Sequence, residues 1–392
     1  MPRRTAVVRL KRGKEGRARV HPWIFKGDVA DASEVEPGAV VTVVDAGGRF
    51  VGRGFFNPRP ALCCRIVTWE DEAVDARLVT RRLAAAVDAR VADGSVPEVG
   101  RLVWSEADGL PGLVVDRYGP VLVVQCLTLA MARRRDEIVA GLRARLGDRP
   151  VFSLDDAVTS QLEGFAPAAG WVDRAGPDEI VVVEGGVRLA VRPGVGHKTG
   201  VYLDQATNRT LVGAAAGPGD VLDVFAYTAA FACHALRGGA RRAVCLESSP
   251  EAIVGAHRNL ELNGFVDRAE VRAVNAFDEL RRLDRERTRF ELIVLDPPPF
   301  ARSRSAVDAA LRGYKEINLR ALRLLAPGGR LATFSCSHHV DDATFAATVR
   351  DAATDAGVRL RLLDRLEQPP DHPVLFTVPE TRYLKGLLLQ AV

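Results

Sequence analysis

Polar residues in the second half of the chain stand where short apolar runs end, which is where a parallel sheet gathers reactive side chains. Asp223 lies at the end of the run from Val221 to Val224, and Glu247 and Asn275 follow the next two runs. Open α/β sheets bind ligands at the carboxyl ends of their strands. An acid placed like Glu247 can accept hydrogen bonds from both hydroxyls of a ribose, and Asn275 could meet an adenine edge. Alternatively, Glu247 caps the following helix and Asn275 is an ordinary turn residue.

Asp296 begins the motif Asp-Pro-Pro-Pro-Phe, which ends at Phe300 and follows the apolar run from Leu292 to Leu295. Proline fixes the backbone φ angle and lacks an amide donor, so three in succession make a stiff rim beside the carboxylate. Such a rim is suited to holding a flat heteroaromatic ring. The alternative is a Pro-rich turn with a purely structural role.

Cys336 is the cysteine whose setting best suits catalysis. It stands in Ser335-Cys336-Ser337, followed by His338 and His339, at the carboxyl end of a predicted strand. A thiolate exposed at such a place is a nucleophile. The other five cysteines lack this setting, and free cysteines are usually inert core residues. Either histidine could tune the thiolate, or it could simply cap the next helix.

The elements that must position these residues alternate between strand and helix from about residue 191 onward. Strands are predicted at 221–224, 243–246, 270–273, 292–295, 331–335, 358–363 and 383–389, and helices near 229–236, 250–262, 307–325 and 343–356. This alternation predicts a doubly wound, mainly parallel sheet. A helix that begins near Thr228 would point free backbone N–H groups at a carboxylate or phosphate in the crevice.

The first 190 residues differ from this pattern and predict two smaller domains. Residues 1–70 have short alternating apolar runs and Gly or Pro turns, which predict a small β-barrel. Its basic residues concentrate early, at Arg3, Arg4, Arg9, Lys11, Arg12, Lys14, Arg17 and Arg19. Such a run is most often a solvated face, and phosphate-backbone binding is the alternative. Residues 71–190 predict a small central α+β domain, and residues 191–392 the doubly wound domain.

The bulk properties fit a globular protein in a reducing compartment. The 392 residues are 47% hydrophobic and 27% charged, and the formal net charge of +4 is only mildly basic. No apolar run approaches the ~20 residues that span a bilayer, so we expect no membrane partner. Six cysteines without paired spacing predict free thiols and a cytoplasmic location. The adjacent Cys63 and Cys64 are poorly placed to bind one metal, and we predict no metal site.

Several motifs together resemble one enzyme family over nearly the whole chain. They are HPWIF at 21–25, EADGLPGL at 106–113, GHKTGVYLDQ at 196–205, DVFAYT at 223–228, DPPPF at 296–300 and FSCS at 334–337. In this order they resemble the class I S-adenosylmethionine-dependent methyltransferases that make 5-methylcytosine in bacterial large-subunit ribosomal RNA. The resemblance implies an N-terminal PUA barrel, a small central domain and a Rossmann-like domain with a seven-stranded, mainly parallel sheet.

The same resemblance implies the site residues, with S-adenosylmethionine as the cofactor and large-subunit ribosomal RNA as the partner. The residues expected to line the cofactor pocket are Asp223, Phe225, Tyr227, Glu247, Asn275 and Asp296. Lys198, Tyr202 and Gln205 would form its lid or the entry for the base. The chain departs from the family pattern at Ala229-Ala230, where relatives usually have Gly-Gly, at Asn275, where they usually have an acid, and at Pro299, which replaces a common lysine.

Cytosine methylation at carbon 5 would need both Cys336 and Asp296. The ring carbon is a poor nucleophile until a thiolate adds to carbon 6, and Asp296 would hydrogen-bond the ring nitrogen and amino group. The sequence leaves three alternatives open: methylation of a purine nitrogen, which needs no thiol; a non-catalytic RNA-binding assembly factor; and, for quaternary structure, a homodimer.

Overall fold

The computed structural model describes residues 6–32, 35–91, 94–195, 199–301 and 303–392. Over these residues the chain divides into two compact units, each built from more than one stretch of sequence. The first unit comprises Met1–Ile180, Arg192–Gly200 and Asp371–Thr381, and the second comprises Val181–Val191, Val201–Pro370 and Arg382–Val392. The bounds of the three domains predicted from the sequence stay a prediction.

The first unit contains two sheets, and the N-terminal one has six strands. Its elements are β1 (Ala6–Leu10), helix α1 (Glu15–Ala18), β2 (Trp23–Phe25), β3 (Val29–Asp31), β4 (Ala39–Val44), β5 (Phe50–Phe56) and β6 (Leu62–Thr68). The spatial order is β2-β6-β5-β4-β1-β3. Alternate residues such as Val8, Leu10, Val41 and Val43 are fully buried, as a strand with one face on a core requires.

The second sheet of this unit has five strands in the order β11-β10-β9-β8-β7. The elements are α2 (Ala76–Asp88), β7 (Val99–Trp104), β8 (Leu113–Tyr118), β9 (Val121–Cys126), α3 (Leu129–Ala132), α4 (Arg135–Leu146), β10 (Val151–Leu154), α5 (Ala157–Glu163) and β11 (Ala169–Val172). Helix α2 begins at a strong cap, because the Asp75 carboxylate accepts from the backbone amides of Arg77 and Leu78.

The second unit is built around a seven-stranded sheet. The elements in order are β12 (Ile180–Glu184), β13 (Val187–Val191), α6 (Ala206–Ala214), β14 (Asp220–Val224), α7 (Ala230–Arg237), β15 (Arg242–Glu247), α8 (Pro250–Leu262), β16 (Ala269–Ala273), α9 (Ala276–Arg285), β17 (Phe290–Leu295), α10 (Val307–Arg323), β18 (Leu325–Ser335), α11 (Asp342–Ala356), β19 (Leu360–Leu366) and β20 (Lys385–Ala391). Strands β12 and β13 pair as a separate hairpin, and the large sheet has the order β16-β15-β14-β17-β18-β20-β19. Within it, only β20 runs against its neighbours.

The predicted doubly wound sheet is confirmed. All seven predicted strands and all four predicted helices of this region are present, with ends that differ by a few residues. Helices α6 and α9 were not predicted. Both carry buried polar side chains, Asn208 and Arg209 in α6 and Glu279 in α9, which interrupt the apolar periodicity that identifies a helix. Among the described residues, no helix is both long and apolar enough to cross a bilayer.

Candidate active site

The strand register brings the predicted site residues to one edge of the large sheet. Val224 pairs with Leu246 of β15 on one side and with Leu295 of β17 on the other, and Leu295 pairs with Thr333 of β18. The residues that follow these positions therefore leave the sheet side by side at its carboxyl edge. This is the edge at which open α/β sheets bind ligands.

Asp223 is buried just inside this edge and has one unsatisfied carboxylate oxygen. Its Oδ2 accepts from the backbone amide of Ala232 at 3.0 Å, whereas Oδ1 has no hydrogen-bond partner among the described residues. Burial raises the pKa of Asp223 to about 7, and the negative charges of Asp296 and Glu247 add to this effect. The prediction of free N–H groups at the start of helix α7 was wrong in part. The helix begins at Ala230, and an amide of its first turn, that of Ala232, already donates to Asp223.

The loop between β14 and α7 holds three non-glycine residues in the left-handed region. The φ angles of Phe225, Tyr227 and Ala229 are 63°, 48° and 57°, and such conformations cost roughly 1–3 kcal/mol each unless neighbouring contacts hold them. Several hydrogen bonds hold this loop. The Tyr227 amide donates to Glu247 Oε2 at 2.8 Å, the Ala226 amide to the Leu246 carbonyl at 3.0 Å, and Asn259 Nδ2 to the Thr228 carbonyl at 2.8 Å. The first alanine of Ala229-Ala230 thus stands at a backbone position that favours glycine.

Glu247 and Asn275 both bind backbone amides. The two Glu247 oxygens accept from Tyr227, Ser248 and Ser249, and Asn275 Oδ1 accepts from the first amides of α9 at 3.0 and 3.3 Å. The alternative of a capping role for Glu247 is wrong, because Ser249 caps α8, whereas Asn275, considered as a turn residue, caps α9. Glu247 Oε2 accepts only one of these amides and has a second lone pair. The ribose role of Glu247 and the adenine role of Asn275 stay predictions.

Three partly buried phenylalanine rings meet at this edge, and they follow strands β14, β16 and β17 in the chain. The ring centroids of Phe225, Phe277 and Phe300 lie 5.9 to 6.3 Å apart, and Phe300 also contacts Tyr314 at 4.7 Å. The edge-to-face and tilted packing of these rings makes an apolar wall. Sequence reasoning missed the roles of Phe277 and Phe300, although Phe300 ends the Pro-rich motif.

Gln205 and Asp296 are brought together by helix α6. Gln205 Nε2 donates to Asp296 Oδ1 at 3.0 Å, and Gln205 Oε1 accepts from Asn208 Nδ2 at 2.7 Å. Asn208 Nδ2 also donates to the Glu367 carbonyl at 3.1 Å. Asn208, which the sequence did not single out, therefore fixes the amide orientation of Gln205, and Gln205 in turn fixes the carboxylate of Asp296.

Tyr202 packs edge-on against Tyr227, with ring centroids 5.2 Å apart at an interplanar angle of 84°. Burial raises the pKa of Tyr202, with further contributions from Tyr227 and the charge of Asp296. The phenol therefore stays protonated and can donate a hydrogen bond at neutral pH. Lys198, the third residue predicted for the lid, lies outside the described residues.

Arg209 fixes the segment that carries Tyr202. Its Nε and Nη2 donate to the two oxygens of Glu184, each at 2.7 Å, and its Nη1 donates to the Tyr202 carbonyl at 2.9 Å. Both partners are buried. Although burial alone would raise it, the Arg209 guanidinium, helped by His234, lowers the pKa of Glu184 to about 2. The pair is thus charged in the folded protein.

We expect Arg209→Met to destabilise the protein by about 3–5 kcal/mol, because it leaves the Glu184 carboxylate buried without its cation. Urea unfolding followed by circular dichroism measures this loss. Arg241→Met is the matched control: it breaks the exposed pair with Asp220 and should cost less than about 1 kcal/mol. Equal losses in the two variants would contradict the importance of the buried pair.

Cys336 lies beside the Pro-rich motif. Its Sγ donates to the Pro297 carbonyl at 3.9 Å, and it is half-buried, whereas the other five cysteines are buried. His338 and His339 are both exposed, and the His338 ring contacts Tyr383 at 5.7 Å. The structure thus places the thiol at the same sheet edge as Asp296.

A seven-stranded sheet with a single reversed strand, and acids at the carboxyl ends of adjacent strands, define a class I methyltransferase. The family model described as S-adenosylmethionine-dependent methyltransferase matches residues 163–390, and a PUA-like domain matches residues 8–69. The chain belongs to the S-adenosylmethionine-dependent methyltransferase family, and its cofactor is S-adenosylmethionine. The predicted fold, with its N-terminal PUA-like domain, is confirmed.

Similar proteins cover almost the whole chain. A protein of Alteromonas mediterranea named ribosomal RNA large subunit methyltransferase I is 36% identical, over 95% of this chain and 95% of its own. A protein of the same name from Shewanella denitrificans is 37% identical, over 97% of this chain and 98% of its own. A solved methyltransferase structure in complex with SAH has a TM-score of 0.86 at 19% identity, covering 98% of this chain and 100% of that one. This last likeness concerns the fold.

The residues at the sheet edge suit this cofactor. The unsatisfied Oδ1 of buried Asp223 is an acceptor with no protein donor among the described residues, and the cofactor carries an ammonium group and ribose hydroxyls that can donate. The aromatic wall of Phe225, Phe277 and Phe300 is suited to its adenine ring. When bound, S-adenosylmethionine supplies an electrophilic methyl group.

Proposed function

We propose that this protein methylates carbon 5 of a cytosine in large-subunit ribosomal RNA, with Cys336 as the nucleophile. The observation that carries the proposal is the position of Cys336, which is half-buried and has its Sγ 3.9 Å from the Pro297 carbonyl. A thiol at this place is one residue along the chain from the end of β18 and touches the residue that follows Asp296. Nitrogen methylation would give such a thiol no role.

Two further observations support an RNA substrate. The relatives at 36% and 37% identity carry the name ribosomal RNA large subunit methyltransferase I, and the likeness extends through the PUA-like domain at residues 8–69. Basic side chains on that domain could contact phosphates, which position a nucleic acid without reading its sequence. A ribosomal substrate also agrees with the cytoplasmic location predicted from the sequence.

In the proposed reaction the Cys336 thiolate adds to carbon 6 of the flipped cytosine, forming a C–S bond and breaking the 5,6 double bond. The electron pair released makes carbon 5 nucleophilic. Asp296, held by Gln205 at 3.0 Å, accepts a hydrogen bond from the amino group, and from the ring nitrogen as that nitrogen takes up a proton, which stabilises the charge that moves onto the ring. Carbon 5 then takes the methyl group that S-adenosylmethionine would supply, which leaves S-adenosylhomocysteine, and afterwards loses its proton to a base. The double bond re-forms and the C–S bond breaks to return the thiolate.

Nucleoside analysis tests the proposal. Large-subunit ribosomal RNA from cells that lack the gene is incubated with the purified protein and S-adenosylmethionine carrying a labelled methyl group, then digested and analysed by mass spectrometry. We expect one labelled nucleoside, with the mass and retention of 5-methylcytidine. A labelled purine would favour the nitrogen-methylation alternative, and no label at all, despite cofactor binding, would favour a non-catalytic RNA-binding factor.

A further inference from the structure

Lys385 is a buried lysine at the end of the strand that neighbours Cys336. It begins strand β20, directly opposite Ser335 in the antiparallel register. Its relative exposure is 5%, and its Nζ donates to the Ser337 carbonyl at 2.8 Å. Lysine is rarely buried to this extent unless its charge is paired. The buried charge of Lys385 therefore requires compensation by nearby groups.

The charged groups that face Lys385 are Asp341 and Asp342 at the start of α11, Arg382, and the thiol of Cys336. Both carboxylates already have other partners. Asp341 Oδ1 caps α11 by accepting from the Thr344 amide at 2.7 Å, and Asp342 Oδ1 accepts from Arg382 at 3.2 Å. Burial lowers the pKa of Lys385, whereas Asp342 and then Cys336 raise it, so the ammonium and an ionised thiol would stabilise each other.

The backbone around Cys336 is fixed by buried hydroxyl groups. The Tyr314 hydroxyl bonds Ser337 Oγ at 2.9 Å and accepts from Ser335 Oγ at 3.0 Å. The Ala301 amide donates to Ser337 Oγ at 3.3 Å. These bonds join helix α10 and the segment after the Pro-rich motif to both neighbours of Cys336. The Ser337 carbonyl is thereby held where Lys385 can reach it.

We propose that Lys385 is a positioning residue, whose positive charge stabilises the thiolate of Cys336 and whose hydrogen bond to Ser337 holds the end of β18. Its part in catalysis rests on the proposed function, because only covalent chemistry needs the thiolate. Among the described residues, the phenols of Tyr202 and Tyr314 also interact with Cys336. A neutral phenol does not compensate the charge of a thiolate, so a nearby cation has a distinct role.

Alkylation of the thiol by iodoacetamide, measured on the full chain without RNA between about pH 6 and pH 10, tests this proposal, because only the thiolate reacts. We expect Lys385→Met to alkylate about tenfold more slowly near pH 7, the effect of removing a nearby opposite charge worth about one pKa unit. At high pH its rate should reach that of the natural protein. Lys385→Arg should keep the original profile, because it keeps the charge.

Three controls separate the electrostatic effect from a structural one. Peptide mass spectrometry assigns the alkylated site, and Cys336→Ala should remove it. Lys315→Met deletes the charge of a lysine paired with Asp355 elsewhere and should not shift the profile. Lys385→Gln keeps a donor for Ser337 without the charge, so it serves if Lys385→Met no longer binds S-adenosylmethionine in a titration.

The proposal is overturned if the pH profiles of the Lys385→Gln and natural proteins coincide, or if Lys385→Arg shifts as far as Lys385→Gln. Either result would show that Lys385 has a purely structural role. The failure of the cytosine-5 proposal is a separate result, because it is read from methyl transfer to RNA and the alkylation assay contains none.

Discussion

Replacing Cys336 with alanine is expected to abolish methyl transfer while leaving cofactor binding intact. The thiol supplies the covalent bond that makes carbon 5 of cytosine reactive, so the loss in turnover should be at least about 10³-fold, as for other enzymes that lose their nucleophile. The Sγ is half-buried and donates to a backbone carbonyl at 3.9 Å, which makes only a weak hydrogen bond. Its removal should therefore cost little stability. Single-turnover transfer of a labelled methyl group measures the effect.

Cys63→Ala is the matched control for this experiment. Cys63 is buried in the six-stranded sheet, and burial raises the pKa of its thiol to about 11, so it is an inert thiol at neutral pH. The control should keep nearly full turnover. If Cys336→Ala instead keeps methylating RNA at the original rate, the covalent mechanism is wrong and methylation of a purine nitrogen becomes the better explanation.

The doubly wound sheet was readable from the sequence because its strands are continuous apolar runs that end in distinctive polar residues. A run such as Val221–Val224 is buried on both faces, and Asp223 and Asp296 mark the edge where two such runs stop. Helix α6 was not readable. Its buried face carries Asn208 and Arg209, which are paired with Gln205 and Glu184. Glu184 lies 25 positions away along the chain, so the apolar pattern of the helix alone does not reveal the pairing.

The candidate site was predictable as a set of residue types, and its internal bonding was not. Local motifs singled out Asp296 and Cys336, but the contact of Gln205 with Asp296 spans 91 positions along the chain. The sequence pattern does not mark Lys385 as a site residue either, because a charged residue before an apolar run is ordinary at the start of a strand. Only the reversed direction of β20 puts it opposite Ser335. Long-range register, which no local pattern encodes, decides both contacts.

Asp223→Asn is expected to stabilise the cofactor-free protein above about pH 7. The folded-state pKa of Asp223 is about 7, raised mainly by burial from an ordinary value of 3.8. Between these values the folded carboxyl holds a proton that the unfolded chain has lost, so its stabilising contribution is present at low pH and disappears as the pH rises through about 7. The stability lost over this pH range is of order 4 kcal/mol. The uncharged amide of Asn avoids this loss. Urea unfolding of both proteins at about pH 5 and about pH 8 measures the difference in their stability.

Asp220→Asn, on the same strand, is the control. Asp220 forms an exposed pair with Arg241, and its loss should change stability by less than about 1 kcal/mol at either pH. If Asp223→Asn follows the same pH dependence as the natural protein, the buried carboxyl is not the source of that dependence.

Asp223→Asn is also expected to weaken cofactor binding, so this substitution changes the stability and the cofactor affinity in opposite directions. Asp223 Oδ1 has no donor among the described residues, and a bound cofactor that donates to it favours the ionised form. The affinity of the natural protein for S-adenosylmethionine should therefore rise about tenfold per pH unit below the Asp223 pKa and level off above it. Isothermal titration of Asp223→Asn should give weaker binding that is independent of pH over this range. Binding by the natural protein that does not change between about pH 5 and pH 8 would show that the cofactor makes no use of this carboxylate.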